Sequence, residues 1–239
     1  MFTLPEMPTE TLSIDGHPGF LILPKNRGET PTPWVWYAPT LPEFPGEKET
    51  WMFERFLNAG IAIGGVDVGE SYGNLKGRAI FTQLYHELVG RNLSKKPCVL
   101  ARSRGGLMHY NWAIDHPTSV ACISGIYPVS NLASYPGLQI ASAAYGLTER
   151  ELEIHLSEHN PIDRLAPLVK AQVPIFHIHG DVDKIVPLET NSLEMARRLV
   201  SLGGKMELII SQGQGHSYWP GFFQCQELVD FVILHARRD

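Results

Sequence analysis

Ser103 stands in the run Ala101-Arg102-Ser103-Arg104-Gly105-Gly106. An apolar stretch, Pro97-Cys98-Val99-Leu100, precedes it, and a helical pattern, Leu107-Met108-His109-Tyr110-Asn111-Trp112-Ala113-Ile114, follows. A serine hydroxyl is a weak nucleophile at neutral pH unless a base takes its proton and an acid fixes the tautomer of that base. The spacing small-x-Ser-x-Gly suits a strand-to-helix turn so tight that the serine backbone is strained and side chains two residues away must be small. Such a turn pushes the hydroxyl out at the carboxyl end of a sheet and aims the following N–H at the carbonyl under attack. The same letters fit an ordinary turn with serine as a helix cap, so the rest of the chain has to decide between the two.

Two later segments supply the missing groups. One is His179-Gly180-Asp181-Val182-Asp183-Lys184-Ile185-Val186-Pro187, and the other is Gln212-Gly213-Gln214-Gly215-His216-Ser217. Each follows an apolar run of strand character, so a Ser, an Asp and a His follow strands in the chain order Ser, Asp, His. His177 and His179 lie within the run before the first loop and are expected to be packed, hydrogen-bonded strand residues. His216 lies beyond the last strand in a glycine-rich turn, where a base has room to meet the serine.

Bringing three loops to one edge requires strands alternating with helices. Thr11–Ile14 and Phe20–Leu23 alternate around Asp15-Gly16 as an edge hairpin. Trp34–Ala38 reads as a buried strand, 47–58 as a helix, 61–66 as a strand and 67–74 as a glycine-rich loop. A helix over 78–89 leads to the central strand, and the helix after Ser103 ends near His116-Pro117. Residues 120–125 form the next strand, and 130–147 are small and mixed. The capping box Thr148-Glu149-Arg150-Glu151 opens a helix to about Glu158, and Asn160-Pro161 starts a short one to Lys170. Then come a strand at 174–180, a helix at 188–202, a strand at 206–210 and a closing helix at 221–236. The later strands are apolar throughout, which fits a mostly parallel central sheet with helices on both faces. The expectation is one α/β domain over residues 1–239, with at most a small lid at 130–170 and Tyr127, Tyr135 and Tyr145 belonging to that short segment.

The elbow, the Asp loop and Gly213-Gln214-Gly215-His216, in that order, resemble the α/β-hydrolase fold of the dienelactone hydrolase and prolyl-oligopeptidase-like type, from about residue 34 to the end. The resemblance implies a Ser-His-Asp triad. Its pattern His-Gly-x-x-Asp places the acid at Asp183 and leaves Asp181 to tie the loop. Ser103 is then the nucleophile and His216 the base. Two N–H groups must hold the oxyanion: one is that of Arg104, and the other comes from the loop after Trp34–Ala38. Pro39 has no N–H, so Thr40 or Leu41 donates, with Thr40 favoured. No cofactor and no metal is required.

Other residues bear on the substrate. Arg104 resembles the arginine after the serine in glucuronoyl esterases, and a guanidinium there either meets a substrate oxygen or serves as scaffolding. Arg102 is expected in a structural ion pair with Asp67 or Glu70. Glu70 and Tyr72, in the loop after residue 66, border the pocket and suit a polar substrate such as a sugar, although Glu70 equally suits an anchor for Arg102 or Arg104. Trp219, three residues past His216, is either a stacking wall or a core residue at a helix start. The function expected is that of a serine esterase acting on polar or carbohydrate-linked esters. The rivals are a small peptidase, an aryl or acyl esterase, and a non-catalytic ligand receptor on the same fold.

Composition narrows the field further. The chain has 239 residues, 44% hydrophobic and 19% charged, enough for a full core. Its net charge of -5, with no basic stripe, argues against nucleic acid as partner. No apolar run reaches the ~20 residues of a membrane span. Met1-Phe2-Thr3-Leu4-Pro5-Glu6 lacks the regions of a secretion signal, so a cytoplasmic protein is expected, or one whose leader has been removed. Cys98 and Cys122 fall in expected core strands, and no Cys-x-x-Cys occurs. His155-Leu156-Ser157-Glu158-His159 has the spacing of a zinc-peptidase helix, but Asn160-Pro161 breaks it and no third ligand is evident. Asn92-Leu93-Ser94 spells a glycosylation sequon without a secretory context.

Overall fold

Asp15 and Gly16 both take positive φ, and the chain reverses there between β1 (Thr9–Ile14) and β2 (His17–Ile22) as the sequence predicts. The structure is a computed structural model describing residues 7–26 and 31–237. The start of the irregular N-terminal stretch, residues 1–6, and residues 27–30 lie outside the described residues. The remaining strands are β3 (Trp34–Ala38), β4 (Ala62–Val66), β5 (Cys98–Arg102), β6 (Cys122–Ile126), β7 (Ile175–Gly180) and β8 (Glu207–Ser211). They form one sheet in the order β1-β2-β4-β3-β5-β6-β7-β8. The hairpin joins β4 antiparallel, and every pairing from β4 to β8 is parallel.

Every residue of β3 to β7 is buried, because helices cover both faces. On one face, α2 (Leu75–Gly90), α3 (Gly105–Asp115), α7 (Ala166–Lys170) and α8 (Ser192–Ser201) enclose a core centred on Trp34, Trp36 and Trp112. On the other, α1 (Thr50–Asn58), α9 (Pro220–Phe223) and α10 (Gln226–Ala236) bury Phe53, Phe56, Phe222 and Val232. Cys98 and Cys122 oppose each other on β5 and β6 as buried free thiols.

Helix ends differ from the sequence reading for local reasons. α2 starts at Leu75, three residues early, because the Asn74 side chain accepts from the Gly77 N–H at 2.8 Å. The helix expected over 148–158 opens on its capping box but breaks at His155 into α5 (Glu149–Ile154) and α6 (Leu156–His159). His155 pairs with Glu158, while the ring of His159 packs on Tyr145. The two histidines of the zinc-like spacing therefore share no continuous helical face. Among the small residues of 130–147, α4 (Leu138–Tyr145) forms and ends at Gly146 in the left-handed region.

Segment 130–170 packs over a small cluster that includes Leu107, Val129, Leu132 and Val186. The Tyr145 hydroxyl donates to the Tyr72 carbonyl at 2.9 Å, and the Asn111 amide donates to the His159 carbonyl at 2.9 Å. Tyr127 does not join this segment. It is buried at the end of β6 in the sheet-facing core, correcting its placement with Tyr135 and Tyr145.

Candidate active site

Ser103 leaves β5 with φ +49, the strained left-handed backbone that the elbow requires. The small residues around it have steric causes. A Cβ on Gly105 would lie 2.1 Å from the Ala38 carbonyl oxygen, and one on Gly106 would lie 2.2 Å from that of Val129. The start of α3 thus presses directly on the turn after β3 and on the loop after β6. Arg104 caps α3, so its N–H belongs to the helix end that has no intrahelical acceptor.

The three candidate groups meet at the carboxyl edge of the sheet. His216 Nε2 lies 2.9 Å from Ser103 Oγ, and His216 Nδ1 lies 2.7 Å from Asp183 Oδ2. A carboxylate only accepts, so Nδ1 carries the proton and Nε2 accepts from the serine hydroxyl. Asp183 Oδ1 accepts the N–H groups of Ile185 at 2.9 Å and Val186 at 2.8 Å. Burial pushes the Asp183 carboxyl up, but the His179 ring 3.5 Å away and hydrogen bonds from His216 and the Val186 N–H outweigh it and hold the group well below the usual carboxylate range. Asp181 instead accepts the Gly213 N–H at 2.7 Å, tying the acid loop to the histidine loop. Gly180 allows this approach, since a Cβ there would lie 2.1 Å from the Gln214 carbonyl oxygen.

The Tyr127 ring packs on His216 with centroids 4.3 Å apart, and Phe222 meets Tyr127 edge-on. Tyr127 has φ +36, so its backbone too is left-handed. Sequence reasoning missed this contact. The only available signal was a tyrosine directly after a strand that neighbours the elbow.

Arg102 pairs with neither Asp67 nor Glu70. Its Nη1 donates to Glu49 Oε1 at 2.7 Å. Glu49 is a buried acid that also accepts the Tyr37 hydroxyl at 2.8 Å and the Gly46 N–H at 2.9 Å. The earlier expectation failed because it took the nearest acidic loop in sequence, whereas the strand turns Arg102 toward the short turn Glu47–Glu49 before α1.

Arg104 faces the other way. Its Nη2 lies 3.0 Å from Glu70 Oε1. Burial pushes the Glu70 carboxyl up, against the pull of Arg104 and with the help of Glu43 and Asp67. Burial also raises the Tyr72 hydroxyl, and Glu70 adds to the effect.

The Thr40 hydroxyl donates to the Tyr37 carbonyl at 3.2 Å, and its backbone bridges Asp67. The Leu41 N–H is bonded to the Phe44 carbonyl at 3.0 Å. Trp219 is not a core residue. It is 39% exposed and folded against Phe222, which packs on Tyr127, the ring behind His216. Among the described residues no group of three or more His, Cys, Asp or Glu is arranged to hold a metal ion, and no helix is long and apolar enough to cross a membrane.

A hydroxyl, an imidazole and a carboxylate in one hydrogen-bonded line can activate the serine as a nucleophile. The sequence model of the prolyl oligopeptidase family matches residues 93–231, more than half of the chain and all three of these loops. The chain belongs to this family. That family is one of serine hydrolases, and the chain has its α/β-hydrolase fold. No curated protein matches it.

Solved structures are similar at low identity. The acylaminoacyl peptidase of Pyrococcus horikoshii superposes with a TM-score of 0.77 at 18% identity, covering 99% of this chain and 43% of that one. The puromycin-hydrolyzing peptidase of Mycobacterium tuberculosis gives 0.74 at 14%, covering 99% and 42%. The S-formylglutathione hydrolase of Agrobacterium tumefaciens gives 0.72 at 14%, covering 96% and 93%. The family member thus spans less than half the length of these peptidases and nearly all of the esterase-sized hydrolase.

Proposed function

We propose that the chain hydrolyses carboxylic esters through an acyl-enzyme. Ser103 attacks the ester carbonyl while His216 takes its proton, oriented by Asp183. The N–H groups of Arg104 and Thr40 hold the oxyanion. His216 then returns the proton to the leaving alcohol, and water releases the acyl group by the same route. The observation that carries this reading is the unbroken line from Ser103 Oγ through His216 to Asp183, at 2.9 and 2.7 Å. Support for Thr40 comes from its loop pressing on Gly105 at the start of α3.

The substrate we infer is a polar, carbohydrate-linked ester. Arg104, Glu70 and Tyr72 offer charged and hydroxyl hydrogen-bonding groups beside the serine, and the partly open Trp219 offers an aromatic face. Kinship with peptidases favours a second reading, amide hydrolysis of small peptides.

Ser103→Ala should lower turnover of p-nitrophenyl acetate by about 10⁴-fold or more while circular dichroism stays unchanged. Turnover close to the parent's would remove the mechanism. A fluorophosphonate should label Ser103 in the folded chain, and failure to label would favour a receptor on the same fold. A panel of acylated and methyl-esterified sugars beside short peptide amides separates the two substrate readings.

A further inference from the structure

We propose that a second, fully buried line of hydrogen bonds, Tyr110–His177–Ser192–His179, positions Asp183, which makes His179 and Ser192 positioning residues of the active site. The proposal rests on the reading of Asp183 as the group that orients His216. The line runs across the fold. Tyr110 lies on α3, the helix that begins at the elbow; His177 and His179 lie two apart on one face of β7; Ser192 opens α8. None of the four is exposed to solvent.

The distances are 2.6 Å from Tyr110 Oη to His177 Nε2, 2.9 Å from His177 Nδ1 to Ser192 Oγ, and 2.8 Å from Ser192 Oγ to His179 Nδ1. His179 Nε2 then reaches the Val186 carbonyl at 2.8 Å and Asp183 Oδ2 at 3.5 Å.

The direction of every bond follows from its last member. A carbonyl oxygen only accepts, so His179 Nε2 carries a proton. The neutral ring then has a bare Nδ1, which accepts from the Ser192 hydroxyl. Having given its one proton, Ser192 Oγ accepts from His177 Nδ1–H. His177 Nε2 is therefore bare and accepts from the Tyr110 hydroxyl. Each proton has an acceptor. If His179 carried a second proton, its Nδ1–H would have to donate to Ser192 Oγ, and then either the Ser192 proton or, with the line reversed, the Tyr110 proton would have no acceptor among the described residues. Burial favours the neutral ring of His177 as well and holds it down to about 3, with His179 nearby adding to the effect.

The consequence falls on the acid. Asp183 Oδ2 receives His216 Nδ1–H and faces His179 Nε2–H, while Oδ1 receives two backbone N–H groups. Both oxygens are engaged, so the carboxylate has no free rotation. The opposite tautomer of His179 would turn a lone pair toward the Val186 carbonyl and Asp183 Oδ2 together, pushing the carboxylate off His216. Ser192 selects the tautomer that avoids this, although it touches neither Asp183 nor His216. Groups that orient an active side chain from behind are commonly worth 10–100-fold in function.

Nitrogen-15 NMR of the full chain at neutral pH reads the line directly. The expected pattern is a proton on Nδ1 of His177 and on Nε2 of His179. A proton on Nδ1 of His179, or a doubly protonated ring, overturns the proposal. Ser192→Ala should mix the His179 tautomers and lower kcat by about 10–100-fold with KM within about twofold. Ser192→Thr, which keeps the hydroxyl, should restore both. Parent-like kcat in Ser192→Ala overturns the positioning role while leaving the triad untouched. Parent-like turnover in Ser103→Ala would instead sink the catalytic reading, and the NMR pattern would still judge the line itself, without any need for the alanine variant to fold.

Discussion

Two arginines flank Ser103, and their surroundings are opposites. Arg102 ends β5 with its side chain 7% exposed, bonded to a Glu49 that is 1% exposed. Its guanidinium lies 4.2 Å over Phe44, 4.9 Å over Tyr218 and 5.2 Å over Phe223. It thereby joins the loop after β3, the turn before α1 and the segment after His216. Arg104 caps α3 with its side chain 22% exposed, paired to a Glu70 that is 45% exposed. Its Nε is buried with no partner among the described residues. Both residues bring the same charge to within one residue of the same serine. One is locked into the interior beneath the site, while the other stands partly open in an ion pair at its edge.

The comparison breaks most directly at Arg102. Arg102→Leu leaves the buried Glu49 carboxyl without its cationic partner, which should cost about 3–5 kcal/mol. A urea or guanidinium midpoint reads the loss. Glu49→Leu added to Arg102→Leu should recover much of it, because removing both members of a buried pair leaves no stranded charge. If Arg102→Leu costs no more than Arg104→Ala, the two flanks are not different in kind.

Acid should separate the buried framework from the open flank at a smaller scale. His109 lies behind the elbow on α3, packed against Trp36 and Phe81, and burial holds its ring down to about 3. An unfolded histidine takes its proton near 6.5. Between those two values the unfolded chain is protonated at this site and the folded chain is not. Stability is therefore complete above about 6.5 and falls with decreasing pH by about 1.4 kcal/mol per unit until the ring in the fold also titrates. By pH 5 that amounts to about 2 kcal/mol. His109→Leu should flatten the curve of unfolding free energy against pH over this window by that much. Asp183, held low in the fold, adds a loss only below about 3.9, where the unfolded carboxyl gains its proton. An unchanged slope in His109→Leu would mean that the ring already carries its charge in the fold.

What the sequence revealed and what it hid divide along the same line. Ser103, Asp183 and His216 were legible because each stands in a short loop after an apolar strand, with glycines whose necessity the packing explains: Gly105 against Ala38, Gly180 against Gln214. The choice of Asp183 over Asp181 was legible through the family pattern. The β-strands were legible because parallel strands buried on both faces carry unbroken apolar runs. Glu49, Tyr127 and Ser192 were not. Each acts through a partner 53, 89 or 13 residues away in the chain, in the pairs Arg102–Glu49, Tyr127–His216 and Ser192–His179. Nothing in local spacing encodes such a contact. Breaks such as the one at His155 were hidden because side-chain and tertiary bonds there outweigh helix periodicity.

The smallest effect on stability tests the open flank. The Arg104–Glu70 pair is half in solvent, so Arg104→Ala should change unfolding free energy by no more than about 1 kcal/mol. Its effect should appear in selectivity. If the guanidinium meets a polar substrate oxygen, kcat/KM for uronate or acylated sugar esters should fall about tenfold more than for p-nitrophenyl acetate, the worth of one charge-assisted hydrogen bond. Glu70→Gln sharpens this further. It releases Arg104 from its ion pair without removing the side chain, so an anionic ester should gain where Arg104→Ala loses. Because burial raises the Glu70 carboxyl, lowering the pH should move the parent chain in the same direction as Glu70→Gln, before an ordinary glutamate would titrate. Equal losses on sugar esters and acetate in Arg104→Ala, with no gain in Glu70→Gln, would make the second arginine a scaffold like the first, and the contrast between them would be one of burial alone.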